Sequence, residues 1–415
     1  MSFSEPVCVP NCVFFDTEDA RRRLSPLSDT CPLAALRVGI FTIAQKWQRL
    51  ISSRFSFLTA PYLSSVFPLK VAAQNLAING AFCPNESLMC ELVQLTPGQR
   101  LVHAESGQTI AALCNAAQLE GLFEHTPSST SDLQTIFFEG VCTHLCHLWD
   151  IFLHNQQEIR SDFSSLCRPI DMAQRVPDKH TIIYSPEQVF VGKNVCMRAA
   201  YLNAEIGPIY IGDDVQIHEG AVLKGPLALG QGVQVMPRAC IESSSIGPYS
   251  KVGGEVYGSV MQGYSNKAHD GFLGHSAIGK WCNLGGGTTT SNMRIDYREV
   301  KVWDRQLTRF DATPMIFCGT FMGDHSVCGA ATLFNAGTTV GVGAALFGGG
   351  VFDKNVPAFA WVRSGRPVQT YRIERALEAM RAAMQRRSKA MSQAEEDILA
   401  HVFTSTAVQR IESVL

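Results

Sequence analysis

At 415 residues the chain has room for two or three domains with sizeable buried cores. Hydrophobic residues make up 46% and charged residues 17%, a globular composition that excludes a chain disordered throughout. The formal net charge of -2 provides no global attraction to nucleic acid or to an anionic membrane, and no run of about twenty apolar residues predicts a membrane span.

The fourteen cysteines are scattered, with no CxxC pair and no metal-like spacing. They read as reduced thiols packed as small apolar residues. The opening MSFSEPVCVPNC lacks a basic stretch followed by an apolar run, so the expectation is a cytoplasmic enzyme without a secretory leader.

Residues 1–170 read as an α/β domain. Val13-Phe14-Phe15-Asp16 predicts a short strand, Arg21-Arg22-Arg23 a basic turn, and Thr42 the cap of a helix running through Trp47 and Leu50. A Ser- and Thr-rich stretch from His125 to Asp132 predicts a loop. Trp149, Phe152, Ile159, Phe163 and Leu166 recur at helical spacing and predict an amphipathic helix closing this domain. The Pro-containing texture of residues 171–188 predicts a linker.

A repeat then governs residues 189–365. Ile211, Ile217, Leu223, Leu229, Val235 and Ile241 stand six apart, with Val215, Ala221, Val233 and Ala239 as small residues four positions on. The rhythm resumes at Ile246 and Val252, at Ile278 and Leu284, and from Cys328 to Phe352. Six residues fit neither a helix nor a continuous strand. They fit one side of a three-sided parallel β-coil, each side a short strand ended by a tight turn and each aliphatic stacking on its equivalent three repeats later. Residues 366–415 lose the glycines and gain Ala, Arg, Glu and Met, predicting one or two helices whose basic residues, Arg372, Arg375, Arg386 and Lys389, read as a solvated face of a helix packed on the coil or a neighbouring subunit, or as a membrane- or anion-binding surface.

The stretch SNKAHDGFLGHSAIGKWCNLGGGTTTSN, residues 265–292, reads as an interruption of the coil that carries chemistry. His269 is either the base of a group-transfer reaction, with Asp270 or a backbone carbonyl fixing its tautomer, or a hydrogen-bonded turn histidine. Lys267 and Lys301 read as phosphate contacts or as solubilising lysines. The run Gly323-Asp324-His325, with Ala330 and Asn335 beyond it, has the small-residue character of a wall for a pantetheine arm, although packing between coils would select the same residues.

These motifs carry a resemblance. Lys267, His269, Phe272-Leu273-Gly274, Ile278-Gly279, Asn283 to Thr288, Thr290 and Asn292 resemble the acetyltransferase half of the bifunctional N-acetylglucosamine-1-phosphate uridylyltransferase/glucosamine-1-phosphate acetyltransferase family. Leu202 to Gly212, Gly263 to Gly285, Asn335 to Val342 and Trp149 to Asn155 resemble a group of sugar nucleotidyltransferase-like proteins found mainly in Bacteroidetes. The resemblance implies an α/β nucleotidyltransferase-like domain, a left-handed parallel β-helix and a homotrimer. It makes His269 catalytic with Asn292, and places Glu255 and Tyr257 at the acceptor. It also implies acetyl-CoA or another acyl-CoA as co-substrate and a sugar phosphate or nucleotide sugar as acceptor.

The nucleotidyltransferase signature is reduced to Ser25-Pro26-Leu27-Ser28 and Cys31-Pro32, without the glycines that let backbone N–H groups reach a triphosphate. Arg21 to Arg23 or Arg37 are the candidates left for nucleotide phosphate, with a solvated turn as the other reading of the triplet, and Mg2+ is the metal such a domain would use. Two other readings stand beside acyl transfer: a sensor that binds a nucleotide sugar without turnover, and a zinc enzyme of the γ-carbonic-anhydrase kind using His218, His269, His275 or His325.

Overall fold

The computed structural model describes residues 7–9, 11–124, 132–166, 178–305 and 307–412. Most of the loop expected from His125 to Asp132, and residues 171–177 of the expected linker, lie outside the described residues. The chain forms two compact units: residues 1–24, 30–36 and 41–147 make the first, while 25–29, 37–40 and 148–415 make the second.

In the first unit a six-stranded mixed sheet runs in the order Phe55–Leu58, Cys12–Phe15, Asn75–Asn79, Thr109–Cys114, Gln99–His103, Gln134–Phe138. The first three strands are parallel. Their residues Cys12, Val13, Phe14, Phe15 and Ala77 are buried, as expected of strands covered on both faces. Thr42 caps the helix Ile43–Leu50 as its sequence predicts, in a capping box with Gln45. The three arginines form no turn. They end a helix, Glu18–Arg23, whose N-cap is Thr17.

The second unit is a three-sided parallel β-coil. Its first face begins at Val189–Val191, its second at Cys196–Met197 and its third at Ile182–Tyr184, with nine, ten and nine strands respectively. The coil therefore starts inside the segment expected to be linker. The six-residue aliphatics point inward as predicted: Ile211 registers with Leu229, Ile217 with Val235 and Leu223 with Ile241, all at most 1% exposed.

Residues 265–292 do not interrupt this coil. Met261, Lys267 and Leu273 continue the inward positions, registering with Ile246, Val252 and Val256. What changes is the corner length, because Ile241 registers with a residue 15 positions on, at Val256, where Leu223 registered 18 on, at Ile241. The excursion comes later, between Thr290 and Phe321. There the chain leaves the coil, forms an antiparallel hairpin from Lys301–Asp304 and Arg309–Ala312, and returns. Its two ends are tied where the Cys318 N–H donates to the Asn292 carbonyl at 2.7 Å.

Most corners turn through a left-handed residue. Tyr249, Tyr264, Trp281 and His325 occupy that position on four successive first-to-second corners, with φ between 56° and 61°. Their rings stack at 5.2, 4.3 and 6.2 Å, which supplies packing where Gly232 and Gly343 serve in flanking coils.

The helix Asn155–Leu166, expected to close the first domain, packs on the coil. Asn155 accepts from Gly39 N–H at 2.9 Å and from the Ser245 hydroxyl at 2.8 Å, and Asp162 accepts from Ile40 N–H at 2.8 Å. It packs on the first face at Ser245 and the strand Leu227–Leu229, where Ala228 and Ser245 are buried. The C-terminal helices Ile373–Gln385 and Gln393–Ser405 dock on the coil through Met380 beside Gly343 and Phe403 edge-on to Phe359 at 5.3 Å.

Leu223 is 0% exposed and sits between the inward residues of two neighbouring coils. Leu223→Ala therefore lowers stability by about 2–5 kcal/mol, read as a fall in denaturant midpoint. Tyr201→Ser, on the outer side of the same face, changes it by less than about 1 kcal/mol in the monomer.

Candidate functional site

Two histidines bracket the third-face strand Phe272–Gly274. His269 lies on the second-to-third corner before it, and His275 on the third-to-first corner after it. The His269 ring is exposed, and no described residue hydrogen-bonds it, Asp270 included. Its corner is flanked by Gly253-Gly254 one coil before and Gly285-Gly286-Gly287 one coil after. A methyl group built on Gly286, one coil on, would lie 3.6 Å from the His269 ring, so the glycine leaves the imidazole face uncovered.

Gly287 N–H donates to Asp270 O at 3.0 Å, Ala331 N–H to Gly286 O at 2.8 Å and Gly350 N–H to Ala331 O at 2.8 Å. Among the described residues the Gly286 N–H has no acceptor, leaving a backbone donor beside the imidazole. This glycine was not among the sequence candidates. The signal was available in Gly285-Gly286-Gly287, but which of the three amides stays free depends on the register of the coils.

Lys267 corrects an expectation. It is 2% exposed, and it points into the coil at an inward position rather than outward to a phosphate. Its Nζ donates to Gly253 O at 3.0 Å and to His269 O at 2.9 Å. Burial pushes the amine from its ordinary 10.5 down to about 8, with the Asp270 carboxylate opposing the shift.

Asn292, expected beside His269, instead lies 2.8 Å from Nδ1 of His275. His275 is set among Tyr257, Phe317 and Phe152 at ring distances of 5.2, 5.5 and 5.7 Å, and burial lowers its pKa. The acceptor candidates thus divide. Glu255 opens the strand registered on Phe272, at the His269 end, and Tyr257 sits at the His275 end. Lys301 is exposed at the base of the hairpin, where its carbonyl accepts from Lys354 Nζ at 2.7 Å.

The three acyl-CoA candidates fall on three different corners. Ala330 is exposed in the His269 column, and Asn335 is exposed in the His275 column. Asp324 is buried on the first-to-second corner, accepting from Lys280 N–H at 2.6 Å, and this turn-capping role corrects its assignment to a CoA wall. His218 lies three coils from His269 on the same corner, and His325 lies on another. No group of three His, Cys, Asp or Glu side chains among the described residues converges to hold a metal.

In the first unit the crevice at the carboxyl ends of Cys12–Phe15 and Asn75–Asn79 is where an α/β sheet reverses its winding and takes a ligand. Here it is filled by the protein itself. Asp16 accepts from Leu33 N–H at 3.1 Å, Thr59 Oγ1 at 2.6 Å and Arg21 at 3.0 Å, and Arg21 also donates to Cys31 O and Tyr62. A methyl group on Gly80 would lie 2.9 Å from Ala34 N and 3.0 Å from Asp16 Oδ1. The carboxylate thus takes the backbone N–H and guanidinium that a phosphate would need. Desolvation raises the Asp16 pKa against the opposing pull of Arg21.

Of the arginines proposed for nucleotide, Arg21 lies in this crevice, committed to Asp16, while Arg23 and Arg37 are held elsewhere. Arg23 pairs with Asp19 on an exposed helix face at 3.1 Å. Arg37 belongs to the second unit, where its N–H donates to Gln262 at 2.6 Å and its guanidinium to Ile40 O. Burial lowers the Arg37 pKa to about 10.

Residues 12–169 match the family described as sugar nucleotidyl transferase. The chain is 29% identical over 174 residues to the bifunctional protein GlmU of Nocardia farcinica, covering 40% of this chain and 31% of that one. It is 23% identical over 211 residues to GlmU of Ralstonia nicotianae, covering 45% and 42%. It therefore spans about a third to two-fifths of the curated relatives it matches. Among solved structures, UDP-N-acetylglucosamine acyltransferase from Campylobacter jejuni aligns with 13% identity and a TM-score of 0.27 over 54% of this chain and 94% of that one. The resemblance drawn from the motifs is thus present in the sequence comparison.

Two outcomes test this geometry. Arg21→Met leaves the Asp16 carboxylate buried and uncompensated, and lowers stability by about 3–5 kcal/mol in denaturant titration. Lys267→Met removes a buried ammonium. Because the folded amine titrates near 8 and the unfolded one near 10.5, the unfolded state binds more protons between those values, so the penalty is full below pH 8 and disappears towards pH 10.5. Wild type then gains on the order of 3 kcal/mol relative to Lys267→Met across that window.

Proposed function

We propose that this chain is a transferase whose coil moves an acyl group from acyl-CoA, acetyl-CoA in the simplest case, to an amino-sugar phosphate or nucleotide sugar. The observation that carries this reading is the exposed His269 imidazole. It stands beside the free Gly286 N–H, in a corner column that stays small as far as Ala330.

The acceptor amine or hydroxyl attacks the thioester carbonyl carbon as His269 takes its proton. The tetrahedral oxyanion meets the Gly286 N–H. Collapse breaks the C–S bond, and the imidazolium returns the proton to the departing thiolate. Direct transfer needs no covalent enzyme intermediate.

The homotrimer implied by the resemblance belongs to the same proposal. Its support is the third face, whose outward residues Ile182, Tyr201, Leu333 and Val351 are 42–55% exposed apart from any helix cover. A neighbouring subunit would also bring the orienting partner that His269 lacks among the described residues. Asp270 and Asn292 remain proposals as catalytic partners, Glu255, Tyr257 and Lys301 as acceptor contacts, and Ala330 and Asn335 as acyl-CoA contacts. For the first unit, the internal Asp16–Arg21 pair favours structural or sensing use over nucleotide transfer with Mg2+.

Thiol release from acetyl-CoA against a panel of amino-sugar phosphates and nucleotide sugars tests the reading. His269→Ala is expected to lower kcat by about 100-fold or more while thermal stability stays within a few degrees. Equal thiol release by both proteins would remove His269 as the base. Stoichiometric zinc in the purified protein would favour the hydrolyase reading instead.

A further inference from the structure

The second face stacks its inward side chains in a single file: Val235 on Val252, Val252 on Lys267, and onward through Leu284, Cys328 and Leu346. Lysine is the exception among these aliphatic and thiol side chains, and a buried ammonium is an expensive occupant of such a position. It occurs in the coil whose next corner carries His269. Its two hydrogen bonds close that corner from inside. One goes to the His269 carbonyl and the other to the Gly253 carbonyl of the preceding coil, at 2.9 and 3.0 Å.

The turn is held from outside through Asp270 O, which accepts from Gly287 N–H, and Gly271 O, which accepts from Glu255 N–H. Every one of these anchors is on the backbone. The imidazole itself is left unencumbered.

We propose that Lys267 is a positioning residue, an internal strut that fixes the His269 backbone and so aims the imidazole at the column of Gly286 and Ala330. An apolar residue of the same length would fill the file equally well and spare the cost of the charge, so the ammonium is retained for the turn it holds. Burial, which pushes the amine down to about 8, agrees with a group kept at the expense of stability. The proposal rests on the reading of His269 as the base, but its structural half can be measured without turnover.

The test uses the full-length protein as wild type, Lys267→Met and Lys267→Gln. Hydrogen exchange is followed at the Glu255 and Gly287 amides, the two that bond the turn, with the strand Lys251–Val252 as internal reference. Lys267→Met is expected to melt at the wild-type temperature or above and to exchange at Glu255 and Gly287 at least tenfold faster with the reference unchanged. It should also lose at least tenfold in kcat with the acyl-CoA KM unchanged. Lys267→Gln, which keeps a donor, should recover part of both losses.

Unchanged exchange at Glu255 and Gly287 in Lys267→Met overturns the proposal. So does a melting temperature lowered as far as that of Leu223→Ala, since Lys267 would then be supporting the coil and not the turn. If wild type releases no thiol with any acceptor, acyl transfer fails, and the exchange rates still decide whether Lys267 holds the corner.

Discussion

The interior of the coil admits only the inward-pointing side chains of each short strand, and every coil must present them at the same height as the coil below. That steric file, with the parallel backbone bonds joining each strand to the next, positions everything else in the second unit. It brings residues 17 to 44 positions apart into direct succession, as in Ala268-His269, Gly286 and Ala330-Ala331. It also forces the corners into columns where a left-handed residue recurs, so glycine or a tolerated aromatic appears there for reasons of backbone sterics. An exposed imidazole on such a corner inherits a rigid neighbourhood without any side chain of its own having to fold around it.

The same file explains why one polar substitution inside it is informative. A buried ammonium satisfied by two carbonyls adds little to stability when a methylene chain would pack as well. Its presence beneath the His269 corner couples the buried interior of the coil to an exposed candidate base. His275, by contrast, is held by Asn292 and aromatic rings at the base of the excursion. It shares the motif with His269 but serves the other end of the strand.

The first unit shows the reverse relation between scaffold and site. Its parallel strands reproduce the frame on which phosphate-binding loops are built, yet the carboxylate of Asp16 and the guanidinium of Arg21 satisfy each other at the point where a ligand would enter. A family match over residues 12–169 therefore describes a scaffold whose crevice is already occupied from within. The chemistry proposed for the chain belongs to the coil.

The sequence alone determined the coil, because a six-residue period in aliphatics has one physical explanation, and Ile211 through Ile241 obey it without a slip. It also determined the capped helix at Thr42, and it singled out His269. It could not show that residues 265–292 stay in register, since corners of unequal length disguise a period that only strand pairing restores. Nor could it tell an inward lysine from an outward one, because Lys267 follows the same alternation as its neighbours and differs only in where its amine ends. The membership of the helix Asn155–Leu166, the separation of Asn292 from His269 and the scattering of Asp324, Ala330 and Asn335 over three corners were decided by tertiary structure. Residues one side of the prism apart are close in sequence and remote in space, while residues one full coil apart are the reverse.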